Sequence, residues 1–261
     1  MVHENIPVYF GMRLMAVIGA TQDFKLVAQD NCLSRVCLRQ SACTERCRSR
    51  RVTSLKIFAD DALRTGGSAL YEPYTDNPGT NGFMRLPSEV LFELIPRFLR
   101  AGWQVNAHAI GDRGKRNRSR CVRGFPGGFP LIASVQPMHA ISDMWYAQDR
   151  LGPERIMGLY AFRSLLDSGA RITLGSDFPV ETVNQALRGI FLTISLSATA
   201  GMTIDPAYAS FTEPELGSLE AGKLADFVVL SRDIMKIPAK EILQTRVLAT
   251  VIDGNIAYGS L

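Results

Sequence analysis

The stretch Arg171–Thr182, RITLGSDFPVET, decides how this chain is read. Ile172, Thr173 and Leu174 form a short apolar, β-branched run after Gly169-Ala170, the profile of a strand buried on both faces. The run breaks at Gly175-Ser176-Asp177, and Pro179 stops it from continuing in regular form. An aspartate at the carboxyl end of a buried strand stands where α/β folds assemble their active sites. Taken alone, Asp177 reads first as the cap of a turn.

Two further strands end in a similar way. Val105–Asp112 (VNAHAIGD) closes its apolar run on His108, with Gly111-Asp112 making the turn. Leu55–Asp60 (LKIFAD) places Lys56 inside an otherwise apolar strand. A lysine buried there must pair, lose its proton or be chemically modified, because a lone buried ammonium is costly. Lysine, histidine and aspartate, each on its own strand and in that order, form the pattern of a metal site.

Composition bounds the answer. With 261 residues, 46% of them apolar and 21% charged, the chain has the make-up of an ordinary globular protein with a substantial core. Much of the net charge of +4 comes from two runs, Arg46–Arg51 and Arg113–Arg123. Neither run interleaves an aromatic residue, so we expect solvated segments and no nucleic-acid partner. No apolar stretch is long enough to span a bilayer, which predicts no membrane partner. Ile6–Ala20 contains Arg13 and lacks a basic lead-in, unlike a signal peptide. Four of the five cysteines crowd into positions 32, 37, 43 and 47, a spacing that matches neither a disulfide framework nor tight zinc knuckles. A cytoplasmic location is the expectation.

Along the chain, Val8–Phe10 and Leu14–Ile18 are candidate strands, Asp30–Arg51 shows no sustained period, and residues 1–52 as a whole are expected to be poorly structured. Asp60–Gly82 is a loop too long for a plain connection, and such loops in compact domains are usually functional. A helix is predicted from Ser88, with Val90, Leu91, Leu94, Ile95 and Phe98 on one face and a kink at Pro96. It links the lysine and histidine strands into a βαβ unit, which implies parallel pairing. Arg113–Pro130 has no helical period. The repeat resumes at Leu131–Gln136, followed by a helix predicted over Pro153–Ser168. Leu224–Ser231 reads as a buried strand, Pro238–Leu243 as a helical turn, and Val247–Ile252 with Asn255–Tyr258 as a hairpin across Asp253-Gly254.

Five segments, KIFADDALRTGGSALYEPYTDNPG, VNAHAIGDR, SVQPMHAISDM, LGSDFPVE and GSLEAGKLADFVVLS, closely resemble the metal-dependent amidohydrolases. Within that superfamily the resemblance is to the amidohydrolase 3 branch, which includes N-substituted formamide deformylases. It covers most of residues 53–112, 131–184 and 201–259. The fold it implies is α/β, a partial (β/α)8 TIM-type barrel with strands equivalent to 4, 5, 7 and 8, and remnants of a small β-sandwich at the C-terminus. The implied division is a poorly structured 1–52, an incomplete barrel over 53–210, and C-terminal sandwich strands over 211–261.

The resemblance also implies the chemistry: a hydrolase that attacks a carbon–nitrogen bond with metal-activated water, on a small-molecule amide or formamide. Zinc lowers the pKa of water from about 15.7 to about 7 and polarises the carbonyl under attack. By position, Lys56 would be a carboxylated lysine bridging two divalent ions, His108 a metal ligand, and Asp177 both a ligand and the catalytic proton shuttle. His139 falls in a loop that in relatives faces the pocket, and either orients substrate or is a structural loop histidine. Asp112 closes a turn or supports His108 from behind; Asp60 and Glu181 rank below it. Asp61 stands where relatives usually carry glycine, which predicts a strained loop.

The family's His-x-His pair and a further histidine have no counterpart among the three histidines present. A (β/α)8 barrel takes about 250 residues, and only about half that length separates Lys56 from Asp177. The chain therefore resembles a truncated version with internal deletions, and a catalytically inactive fragment is the alternative reading. An incomplete barrel exposes strand edges, which implies homo-oligomers or aggregation.

Overall fold

The structure, a computed structural model, describes residues 8–10, 54–101, 103–115, 132–175, 177 and 197–261. His3, Leu14–Ile18, Glu181, the cysteine cluster and most of both arginine runs lie outside the described residues. In chain order the strands are β1 (Val8–Phe10), β2 (Ser54–Phe58), β3 (Gln104–His108), β4 (Ala133–Val135), β5 (Ile172–Leu174), β6 (Phe227–Leu230), β7 (Val247–Ile252) and β8 (Asn255–Gly259). The helices are α1 (Ser88–Arg100), α2 (Pro137–Asp143), α3 (Ala147–Arg155), α4 (Phe162–Asp167), α5 (Ser197–Met202) and α6 (Ile204–Ala209). The chain divides into two compact units: Gly19–Tyr74 with Pro78–Gly128, and Met1–Ile18, Thr75–Asn77 and Phe129–Leu261.

In the first unit β2 and β3 pair in parallel, Lys56 opposite Asn106 and Phe58 opposite His108. Alternation along a strand sends neighbouring side chains to opposite faces. Ile57 and Ala59 pack with Leu91 and Ile95 of α1, with Leu55, Val105 and Ala107 at the margin. Lys56, Phe58, Asn106 and His108 therefore belong to the other face. α1 remains helical through Pro96. Its buried stripe is Leu91 and Ile95, whereas Val90, expected on the same face, is 41% exposed. A stripe at i and i+4 is narrow, and Val90 falls just outside it.

Lys56 corrects the burial expected of it: the residue is exposed, because α1 covers only the Ile57 face of this two-stranded sheet. The desolvation argument that demanded a charge-neutralising device does not apply there.

The second unit contains two sheets. β4 and β5 pair in parallel, Val135 opposite Leu174, and all three residues of β5 are buried. Phe162, Ile172 and Leu174 form the core, with Ala133, Val135, Leu166 and Met202 packed on it. The second sheet is antiparallel in the order β1-β6-β7-β8. Its β7–β8 hairpin turns at Asp253 and Gly254, with φ of 52° and 73°. Positive φ at both central residues is the twist-matched hairpin turn, for which Asp-Gly is suited. Asp226 pins the tip by accepting the Asp253 N–H at 2.6 Å.

The helix expected over Pro153–Ser168 is instead broken. Gly152 (φ 74°) kinks α3, a 3-10 turn follows at Ile156–Gly158, and Tyr160 takes φ 51° before α4 begins. Within the expected range, the 3-10 turn and the positive φ of Tyr160 outweigh the apolar period that pointed to one helix. Among the described residues there is no closed barrel; the parallel strands form two separate pairs.

Leu91→Ala, at a position with no exposed surface, is expected to cost about 2–5 kcal/mol by cavity formation. The neighbouring Val90→Ala should stay within about 0.5 kcal/mol. Denaturant titration of the two variants checks the pair.

Candidate functional site

Chemistry-bearing residues sit at the carboxyl ends of both parallel pairs. In the first unit His108 is the last residue of β3, and its carbonyl accepts the Ala59 N–H at 2.9 Å, extending the ladder one step. The His108 ring lies 5.2 Å from that of Phe58, tilted by 38°. The Lys56 amine stands 5.5 Å from the centroid of the same Phe58 ring, within cation–π range. Lysine and imidazole thus flank one half-exposed aromatic ring on the face that α1 leaves uncovered.

The loop after β2 is folded on itself rather than open. Tyr74 is 1% exposed and donates its hydroxyl to the Ser68 carbonyl at 2.9 Å, while Leu63, Ala69 and Leu70 are also buried. Asp112 accepts the Tyr71 N–H at 3.1 Å and the Arg113 N–H at 2.7 Å, so its carboxylate closes the turn after His108.

Asp61 is held by Arg85 at 2.5 Å and by the Ala62 N–H at 2.7 Å. Burial pushes its carboxyl upward, but the Ala62 N–H, the Arg85 guanidinium and the charge of His108 outweigh that and leave it below its ordinary value. The strain expected from an aspartate in a glycine position is absent: Asp61 is not among the residues with positive φ.

In the second unit His139 lies in the first turn of α2, immediately after β4, and its N–H is bound by the Gln136 carbonyl at 3.0 Å. Asp177 follows β5, whose register continues through the Gly175 N–H bonded to the Val135 carbonyl at 3.1 Å. His139 Nε2 and Asp177 Oδ2 are 3.3 Å apart. Asp177 has φ 57°, a left-handed conformation uncommon outside glycine, though aspartate tolerates it better than most. Its side chain is 45% exposed and that of His139 22%. Nothing in the sequence paired these two residues, which lie 38 positions apart.

Catalytic zinc typically takes three protein ligands. Among the described residues there is no group of three or more His, Cys, Asp or Glu able to hold a metal ion. The first unit by itself brings Lys56 and His108, and the second His139 and Asp177. Neither completes a donor set. No helix among the described residues is long and apolar enough to cross a membrane.

Parallel strand pairs with polar groups at their carboxyl ends make an α/β fold, and solved structures share it. A metal-dependent hydrolase from Pyrococcus horikoshii OT3 superposes with a TM-score of 0.62 at 24% identity, covering 71% of this chain and 46% of that one. The corresponding hydrolase from Pyrococcus furiosus gives 0.58 at 25% identity, over 70% and 45%. The profile described as "Amidohydrolase family" matches residues 129–190 and 195–258. Protein LONG AFTER FAR-RED 3 of Arabidopsis thaliana is 31% identical over 248 residues, 78% of this chain and 42% of that protein. The N-substituted formamide deformylase of Arthrobacter pascens is 33% identical over 134 residues, 45% and 24%. The chain is thus similar to the amidohydrolase family, whose model matches its C-terminal half. It spans less than half the length of these relatives.

The lowered pKa of Asp61 makes a signed prediction. A carboxylate depressed in the folded state contributes stability above its unfolded pKa, and that contribution is lost as pH falls through the folded one. Wild-type protein is therefore expected to lose more stability than Asp61→Asn on acidification below pH about 4. The pair is partly exposed, so the difference should be no more than about 1 kcal/mol. Melting temperatures of both proteins across that pH range measure it.

Proposed function

We propose that this chain is the catalytic part of a hydrolase acting on carbon–nitrogen bonds other than peptide bonds, with small amides or N-substituted formamides as substrates. The observation that carries the reading is the His139–Asp177 pair at the carboxyl ends of β4 and β5. The name of the Arthrobacter relative supports the substrate class.

In this reading the exposed Asp177 carboxylate takes a proton from the attacking water and returns it to the nitrogen as the carbon–nitrogen bond breaks. His139 Nε2, donating to Oδ2, holds the carboxylate in place and orients substrate. General acid–base catalysis of this kind contributes about 10²–10⁴-fold. The left-handed backbone at Asp177 fits a role beyond capping a turn, since strained positions collect at functional sites.

The remaining assignments belong to the same proposal. β2, β3, β4 and β5 stand for strands 4, 5, 7 and 8 of a TIM-type barrel, and the β1-β6-β7-β8 sheet for the small sandwich. Lys56, as a carboxylated lysine, and His108 in the first unit, and Asp177 in the second, are the residues proposed to offer donors to a divalent metal within their own units, with zinc as the ion, and Asp112 supports His108. The partner is a small-molecule amide, and open strand edges favour homo-oligomers.

Purified protein is expected to release amine from N-substituted formamides, with Asp177→Asn lowering kcat by about 10²–10⁴-fold. No turnover on formamides or acyl amides would overturn the reading in favour of an inactive relative. Elemental analysis is expected to find a divalent metal that Lys56→Ala or His108→Ala depletes. Metal content unaffected by both changes would remove that ligand assignment.

A further inference from the structure

Asp60 has no exposed surface, yet both of its carboxylate oxygens are occupied. Oδ2 accepts the Ala69 N–H at 3.1 Å and the Gly111 N–H at 2.7 Å, and Oδ1 accepts the Ile110 N–H at 3.0 Å. A buried carboxylate is expensive unless its lone pairs are satisfied, and backbone donors satisfy it without a counter-ion. Asp60 lies two residues beyond the end of β2, and Ile110 and Gly111 lie two and three residues beyond His108. One side chain therefore ties together the carboxyl ends of two parallel strands and the middle of the loop between them.

We propose that Asp60 is the positioning residue of His108. It fixes the backbone of Ile110 and Gly111, and through them the direction in which the imidazole leaves β3. The surrounding packing allows little alternative. A Cβ on Gly111 would stand 2.0 Å from the Ala69 carbonyl oxygen, and one on Gly114 would stand 2.8 Å from Asp60 Oδ2. Asp112 then repeats the device on the outer side, binding the Tyr71 N–H. The His108 ring rests on Phe58, two residues before Asp60, so its orientation registers any shift between the two strand ends. The proposal rests on the reading of His108 as a site residue, but its test does not require turnover.

The test is Asp60→Asn in the full chain. An amide offers one acceptor oxygen and one NH2 donor, so at least one of the three N–H groups loses its partner and faces a donor. Amide exchange at Ala69, Ile110 and Gly111 should accelerate by about 10–100-fold. The ring signals of His108 should move in a heteronuclear NMR spectrum while those of His139, in the other unit, stay in place. With three histidines in the chain these signals are separable. A lowered melting temperature with His108 ring signals unchanged would overturn the proposal and leave Asp60 a purely structural residue. Should Asp60→Asn not fold, Gly114→Ala carries the same test by pressing a methyl group on the carboxylate; unmoved His108 signals there would also overturn it. If wild-type protein hydrolyses formamides, Asp60→Asn is expected to lower kcat with KM little changed. If it does not, the proposed function fails while the His108 signals still decide the role of Asp60.

Discussion

Parallel pairing is the constraint on which the rest of this structure depends. Two parallel strands cannot be joined by a tight turn, so each pair needs a crossover that returns the chain to the same end. The two strands of a pair therefore start together and finish together, and the loop beyond each finish is free of the ladder's geometry. β2 and β3 finish at Phe58 and His108; β4 and β5 finish at Val135 and Leu174. His108, His139 and Asp177 are delivered to carboxyl edges for that reason, with Lys56 two residues short of one, although all four are dispersed along the chain.

The two edges are stabilised differently. At the β2–β3 end a buried carboxylate gathers backbone N–H groups, and Leu63, Leu70 and Tyr74 of the loop from Asp60 to Gly82 are buried. At the β4–β5 end the polar pair is side chain to side chain, partly exposed, with a left-handed aspartate. The first arrangement is rigid because backbone donors are fixed by the chain itself. The second leaves both side chains partly exposed.

The uncovered face of β2–β3 explains why Lys56 reads so differently in sequence and in structure. An apolar run around a lysine reads as burial only if both faces of the strand are covered. Here α1 covers the Ile57 side, and the Lys56–Phe58–His108 side carries a cation–π contact in place of a buried charge. Relatedness to the amidohydrolases and completeness of a metal site are thus separate matters. The first rests on the family-model match over residues 129–190 and 195–258, and the second needs three donors at one point, which the described residues of neither unit supply.

Several features were legible without coordinates. The β5 strand was marked by its β-branched run, the β7–β8 hairpin by Asp253-Gly254, and the βαβ unit by the helical period between two apolar strands. These signals are local: a strand, a turn or a helix face is set by residues within a few positions of one another. The break between α3 and α4, the pairing of His139 with Asp177, the Asp61–Arg85 contact and the three bonds of Asp60 were not legible. Each joins residues distant in sequence or depends on which face is covered, and distances of that kind exist only once the chain has folded. By itself the sequence determined most of the strands and the resemblance to a family; the tertiary structure decided which side chains meet, because contact is a property of packing and not of order along the chain.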